Sequence, residues 1–423
     1  MNRPDIRRLP KRANPTEAVE KLLTSIPRNV ACTESIPLEQ CLGRVLATDV
    51  FSVLSLPDYD KTFIDGYALN PQETKAASPA KPATFKIVGK LFPPDHPTTL
   101  QLKPGEAVYV ACGAPIPKGA SASVKVEETR LRDDTVEVVR EIKQGEGLIP
   151  MGDDMKKGDL LLKKGQVLRS QDAGLLASNR LTRVDVFKKP VVAVISGGDE
   201  LLKQRENEPS IFANNYALVV AGLVSELGGE PKLMGIMPDA LDKVTEKIRQ
   251  ALQSADIVAT IGGSSVGVKD FVPDAINALG NPGVVLQGVS LRPGALAGFG
   301  VVNGKPVVML PGHIGSCIGG FYLFMAPLIA AYLGLAADSS VPRVPAVLGE
   351  EVHNGPQFRF LLVHLKRADG KLVATPTAGG SSALTTIVKS NGYTLIPPHT
   401  NKEKGDTVEV CLFNKLELTQ IEV

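Results

Sequence analysis

Residues 256–271 read DIVATIGGSSVGVKDF, and this run decides the fold. Its first five residues are apolar after Asp256 and have the length of a buried strand. The strand stops at Gly262 and Gly263, which are followed by Ser264 and Ser265, and Asp270 stands where a helix should begin. The same grammar surrounds it. VVAVIS (191–196) runs into GGDE, PKLMGIM (231–237) into Pro238 and Asp239, and PVVML (306–310) into PGHIGS, with helical patterns between them. Strands that are apolar throughout and separated by helices predict a parallel sheet covered on both faces, a doubly wound α/β domain over residues 189–340.

Working outward, NPTEAVEKLLTSI carries a cap at Asn14, a proline at the first helical position and Glu17 in a capping box, which predicts a helix over 15–25. From residue 51 to 142, short alternating segments such as FKIVGKL, AVYVACG and TVEVVREI predict a β-rich domain. Residues 143–188 hold a strand, turns and a short helix near Ser170–Asn179. Their small apolar content predicts packing with the N-terminal helix, so that 1–50 and 143–188 form a discontinuous domain around the β-rich insertion. Residues 341–423 return to alternation with a DG turn, which predicts a C-terminal β-barrel.

Composition narrows the function. A chain of 423 residues exceeds what one core organises, so roughly three domains are expected. Lys and Arg number 47 against 45 acids, a net charge of +2, which provides no field for nucleic acid or an anionic membrane. The basic first dozen residues contain two prolines and no apolar stretch, and read as a solvated tail. The five cysteines are odd in number and scattered, with no CxxC, as expected of a reducing cytoplasm. The uncharged run 314–337 is long enough to cross a bilayer, but it follows directly from a strand and loop and contains glycines and Pro327; a buried helix is expected, with no membrane insertion.

In an open parallel sheet, ligands collect beyond the carboxyl ends of the strands. There the sequence places Gly198 and Glu200, then Asp239, then Gly262, Gly263, Ser264 and Ser265 with Asp270, then Gly312, His313 and Ser316. Glycines admit an anion close to the backbone and serines add donors, as in a phosphate cradle, although a single glycine after a strand is more often only a turn. One Asp at a strand end usually caps the next helix. Glu200, Asp239 and Asp270 gathered on one rim would instead repel one another without a cation, and Mg²⁺ bridging to a substrate phosphate answers that repulsion. A lone His313 in a loop is more often neither ligand nor base.

Five motifs then resemble, in order, those of the molybdopterin molybdenumtransferases, the MoeA and gephyrin E-domain family. LPDYDKTFIDGYALN (56–70) is similar to a signature containing MDGYA, ISGGDEL to STGDEL, IGGSSVGVKDF to SGGVSVGDYD, LRPGALAGFG to KPGKPxAFG, and LPGHIGS to LPGNPVS. The resemblance spans nearly the whole chain and agrees with the segmentation above. It implies hydrolysis of adenylylated molybdopterin with insertion of molybdenum (or tungsten) from molybdate or tungstate. It also implies a homodimer, a partner molybdopterin adenylyltransferase and acceptor molybdoenzymes. Asp65, Glu200, Asp239 and Asp270 fall on the family's acidic positions, with Asp65 and Asp270 as catalytic groups and Glu200 and Asp239 as metal ligands. Arg292 stands for a lysine before PG, and Ser381 for a barrel-loop serine.

The departures concern cations. Cys112 replaces a threonine, LIPMGDD replaces an arginine-rich stretch, GAL replaces GKP, a further expected lysine falls near Gly288, PGHI replaces PGNP, and a barrel arginine falls on Leu361 or Leu362. Each lost charge-assisted contact costs about 1.5–3 kcal/mol. Either other basic residues compensate, or the chain is a non-catalytic paralogue that binds a pterin or a partner protein. An unrelated nucleotide-binding α/β protein would require the five ordered motifs to be accidental.

Overall fold

The computed structural model describes residues 12–203, 214–265, 267, 269–339, 341–380 and 382–413. The chain divides into two compact units. The larger contains Met1–Ala47, Val167–Arg169 and Arg183–Val423; the smaller contains Thr48–Gln166 and Ser170–Thr182.

In the larger unit the run Ile257–Ile261 is a fully buried strand at the middle of a six-stranded sheet. The order is Glu230–Met237, Val191–Gly197, Ile257–Ile261, Lys305–Leu310, Gly298–Val302, Pro282–Gln287. The first four strands are parallel, as their apolar character predicts. The last two are antiparallel, so the sheet is mixed at that edge. The turn that makes it so is Asn303–Gly304, both at positive φ (50° and 86°), between Gly298–Val302 and Lys305–Leu310. That is the chemistry of a two-residue hairpin turn.

Helices Leu241–Ser254 and Val272–Leu279 cover one face through Val244, Ile248, Ala275 and Ile276. The other face packs on the helix Asn215–Glu226 and on the apolar segment Ile314–Tyr332. This last is α-helical to Gly320, a π turn over Phe321–Met325, and α-helical again over Ala326–Tyr332. Pro327 lacks the N–H that would bond back one turn, which accounts for the local widening. The segment is 19 residues long; over its most apolar 18 residues the mean hydropathy is 1.8 and 83% of them are buried within the protein, as a core helix requires.

The N-terminal helix Pro15–Ser25 is capped by Asn14, whose side chain accepts from the Thr16 N–H. It buries Ala18 and Leu22 in the same core as Leu328 and Ile329. The expected partner of this helix differs from the one found, because the helix Ser170–Ser178 lies in the smaller unit. Leu176 is buried there, and Asn179 accepts from Ser52 Oγ (3.1 Å) and the Val53 N–H (3.0 Å).

The C-terminal part is a closed barrel of five strands in the order Phe358–Ala368, Lys371–Pro376, Arg343–Leu348, Thr407–Leu412, Gly392–Ile396. It closes where Phe358–Ala368 pairs with Gly392–Ile396. Leu361, Val363, Leu365 and Val410 fill it. A short sixth strand, Leu291–Arg292, pairs in parallel with the start of Phe358–Ala368.

The smaller unit is built on a sheet ordered Ala122–Lys125, Gly66–Leu69, Glu106–Val110, Ala83–Leu91, Thr135–Val138, Thr129–Arg132. Phe85, Leu69 and Val136 lie on its buried face.

Candidate functional site

In the larger unit, three strand-end loops meet at the carboxyl edge of the parallel strands. The Gly262 φ is +82° and the Gly263 φ is +68°, so the backbone after Ile261 turns through the left-handed region. A Cβ on Gly262 would stand 3.3 Å from the Gly197 carbonyl and 4.0 Å from the Gly312 Cα, which shows how closely the ends of Val191–Gly197, Ile257–Ile261 and Lys305–Leu310 approach. Strand order reverses between Val191–Gly197 and Ile257–Ile261, and a crevice opens where neighbouring connections diverge in this way.

A cavity of about 1540 Å³ opens at that edge. Of the residues expected from sequence, Glu200, Gly262, Gly263, Ser264, Ser265, Asp270, Arg292 and Gly312 line it, with His313 and Ser316. The serine loop is held from beside, as the Gln287 amide donates to the carbonyls of Ser264 (3.0 Å) and Ser265 (3.4 Å). Asp270 accepts from the Gly267 N–H at 2.6 Å. Ser196 at the end of its strand donates to the Asn214 side chain, fixing the entry to the helix Asn215–Glu226.

Other expected residues sit differently. Gly198 lies beneath the Glu200 carboxylate, where a Cβ would come within 2.3 Å of Glu200 Oε1. Asp239 forms a reciprocal lock with Asp199: each carboxylate accepts the other's backbone N–H, at 3.2 and 3.1 Å. Lys269 lies 3.8 Å from Asp199. Asp239 thereby joins two loops, and it is not among the residues that line the cavity. Among the described residues no group of three or more His, Cys, Asp or Glu side chains is arranged to hold a metal ion. The donor set fits Mg²⁺ only in its usual form, with one or two carboxylates, here Glu200 and Asp270, and the remaining ligands from phosphate and water. Ser381 lies outside the described residues.

Asp65 belongs to the smaller unit. It precedes the strand Gly66–Leu69, is exposed, and accepts from the Cys112 N–H at 3.0 Å. Its own carbonyl accepts from the Val126 N–H (3.2 Å). The neighbouring glycine is required by space: a Cβ on Gly66 would lie 1.9 Å from the Val124 carbonyl oxygen. Cys112 thus contributes its backbone to Asp65, while its side chain is exposed.

Sequence reasoning missed two cations in the cavity, Arg12 and Arg359, and His353 beside them. Leu361 and Leu362, the positions where the barrel arginine was expected, both line the cavity, and Leu361 also packs in the barrel core. Arg359 shares the parity of Leu361 and Val363, and lies at the start of the strand, where that face meets the cavity. The basic character expected to be lost therefore returns from other positions. No local pattern marks Arg12 or Arg359 as belonging together, because only the strand pairing brings them to one place.

Comparison with known proteins places these features. Three family models match the chain in order: "MoeA N-terminal region (domain I and II)" over residues 13–179, "Probable molybdopterin binding domain" over 193–331, and "MoeA C-terminal region (domain IV)" over 345–413. The chain is 31% identical over 395 residues to a molybdopterin molybdenumtransferase of Bacillus subtilis (strain 168), covering 90% of each chain. It is 30% identical over 400 residues to one of Staphylococcus aureus (strain COL), covering 94% of each. Among solved structures, a molybdopterin biosynthesis MoeA protein from Pyrococcus horikosii superposes with a TM-score of 0.82 at 31% identity, covering 96% of this chain and all (100%) of that one.

Proposed function

The chain belongs to the MoeA family of molybdopterin biosynthesis proteins, and from that premise we propose that it is a molybdopterin molybdenumtransferase working on adenylylated molybdopterin with Mg²⁺. It inserts molybdenum into molybdopterin in molybdenum cofactor biosynthesis. The observation that carries the reading is the cavity at the carboxyl edge of the sheet, which presents glycine N–H groups and serines, two carboxylates and several arginines to one volume.

Each group has a task that its chemistry suits. The Gly262 N–H is spent on the Leu310 carbonyl (2.9 Å), so the backbone donors offered to phosphate or molybdate oxygens are those of Gly263 and Gly312, where no side chain obstructs approach. Glu200 and Asp270 are the residues that would hold Mg²⁺. When bound, the ion supplies Lewis-acid neutralisation of phosphate charge. Arg292, which lines the same cavity, stabilises negative charge on the ligand. Asp65 is assigned to orienting the attacking water. Its support is local, since Cys112 fixes the carboxylate and Gly66 fixes the strand that follows.

The homodimer, the cytoplasmic setting, and a molybdopterin adenylyltransferase and acceptor molybdoenzymes as partners are parts of the same proposal. The scatter of Cys32, Cys41, Cys112, Cys317 and Cys411 through the chain, with no CxxC, supports the reducing compartment.

The test is turnover by the purified chain with adenylylated molybdopterin, molybdate and Mg²⁺, following AMP release and protein-bound molybdenum. Asp65→Ala and Asp270→Ala should each lower kcat by on the order of 100-fold while substrate still binds. EDTA should stop AMP release, and Mg²⁺ should restore it. AMP release that is unchanged in Asp65→Ala, or indifferent to EDTA, would overturn the assignment.

A further inference from the structure

We propose that Tyr59 is a positioning residue for Asp65: its hydroxyl holds the turn Ala111–Ala114, whose Cys112 N–H fixes the Asp65 carboxylate. The proposal rests on the reading above for the task of Asp65, and on the smaller unit alone for everything else.

Residues 111–114 form a four-residue turn closed by the Ala114 N–H on the Ala111 carbonyl (2.9 Å). Gly113 stands third in it with φ +84°, the left-handed geometry that a type II turn requires at that place. The turn is anchored to its neighbours. The Ala111 N–H donates to the Leu91 carbonyl (3.0 Å), the Gly113 N–H to the Thr62 carbonyl (2.8 Å), and the Thr62 N–H to the Ala114 carbonyl (3.0 Å). Its Cys112 N–H is the donor that holds Asp65 Oδ1, at 3.0 Å. Any tilt of the turn is therefore passed to the carboxylate.

Tyr59 controls that tilt. Its hydroxyl donates to the Gly113 carbonyl at 3.2 Å and lies 3.4 Å from the Pro93 carbonyl, so one side chain spans the turn and the segment that carries Pro93. The two are also in close contact, since a Cβ on Gly113 would stand 3.3 Å from Pro93 Cγ. The phenol is itself fixed from both sides. Along the chain, the Pro57 carbonyl accepts from the Gly152 N–H (2.9 Å) and the Asp60 carboxylate from the Met151 N–H (2.8 Å). Across space, the ring stacks on His96 with centroids 4.0 Å and planes 17° apart, which sets the direction of the hydroxyl. The segment before His96 is closed on itself, because the Asp95 carboxylate accepts from the Phe92 N–H (2.6 Å) and the Phe92 carbonyl accepts from the Asp95 N–H (2.9 Å). Burial, and then the nearby Asp58 charge, push the Tyr59 hydroxyl above its ordinary value of 10, so it remains a donor at neutral pH.

Tyr59 is half-buried, and water can replace its hydroxyl at the two carbonyls with little loss of stability. The rate is more sensitive, because a reacting group displaced by a fraction of an ångström loses catalysis steeply. Tyr59 thus acts on the reaction through two hydrogen bonds in series.

The experiment pairs native-state amide exchange at Cys112 with steady-state AMP release by the full-length chain. Tyr59→Phe should melt as wild type does, exchange at Cys112 at least about fivefold faster, and lose on the order of tenfold in kcat with KM unchanged. His96→Ala should show part of both effects, and His96→Phe, which keeps a stacking ring, should restore wild-type values. Should Tyr59→Phe melt early, His96→Ala, altered at an exposed position, carries the same two readouts. Wild-type exchange at Cys112 in Tyr59→Phe overturns the proposal. So does a wild-type kcat in Tyr59→Phe where Asp65→Ala is inactive. If Asp65→Ala releases AMP as wild type does, the catalytic task given to Asp65 falls, while faster Cys112 exchange in Tyr59→Phe still upholds the link between phenol and carboxylate.

Discussion

At the scale of single residues, Gly66 and Cys317 show how surroundings dictate chemistry. The backbone of Val124 fills the space a Cβ on Gly66 would need, so Gly66→Ala must displace the strand that follows Asp65. Overpacking of this kind costs about 1–3 kcal/mol, and the variant should melt correspondingly earlier and lose turnover with it, measured by thermal denaturation and AMP release. Cys317 is fully buried in the core, and burial pushes its thiol up to about 12. At pH 8, a thiol reagent added to native protein should label the exposed Cys32 and Cys112, and reach Cys41 and Cys317 only after denaturation. Labelling of Cys317 in the native state would contradict its packing. The glycine of the DGYA motif was legible as a motif. The reason for it was not, because Val124 lies in another strand.

At the scale of elements, the loop after Ile257–Ile261 depends on left-handed backbone. Gly263→Ala would combine a φ of +68° with a Cβ 3.1 Å from Val272 Cγ2. It should cost about 1 kcal/mol or more and lower AMP release in the turnover assay with adenylylated molybdopterin. The glycines, the strand before them and the parallel core of the sheet were all readable from local pattern. The antiparallel edge was also readable in principle, since Asn303–Gly304 is a strong hairpin signal between apolar runs. Arg292 was found because it sits in a motif. Arg359 was not, because register between Leu291–Arg292 and Phe358–Ala368 is a property of two strands and neither sequence specifies it alone. Asp239 was expected to face a metal, and instead its carboxylate accepts from the Asp199 backbone; a carboxylate at a strand end serves loop geometry as readily as ligand chemistry.

At the scale of the whole molecule, the two units carry separate electrostatic supports. In the smaller one, Arg140 bonds both Glu128 and Glu146 at 2.5 Å. The hydrogen bond from Arg140 is the main reason that the Glu146 carboxyl is held below its ordinary value of 4.5. A depressed carboxylate stabilises the fold fully above its unfolded value, and that contribution disappears as pH falls through the folded value. The stability gap between wild type and Glu146→Gln should therefore be constant from neutral pH to about pH 5 and close below about pH 4.5. With these side chains 39% and 30% exposed, the gap should not exceed about 1 kcal/mol, read from denaturant titrations monitored in the smaller unit. The change of pattern along the chain carried the order of the architectures; of the block 143–188 expected beside the N-terminal helix, Arg183–Phe187 pairs with Thr33–Pro37 in the larger unit, whereas 143–166 and Ser170–Thr182 lie in the smaller one. A short helix with few apolar residues does not announce its partner, and the choice is made by buried groups such as Asn179 that bond to distant backbone.

The place of the N-terminal helix has a consequence for biosynthesis. Ala18, Leu22 and Ile26 reach their native surroundings only when Leu328 and Ile329 have been made. At ordinary translation rates the ribosome needs on the order of 15–60 s to add the intervening residues. The smaller unit, complete once Thr182 has emerged, is free to fold during that interval. The nascent chain therefore carries an unpaired amphipathic helix through most of its elongation, a natural target for a holding chaperone.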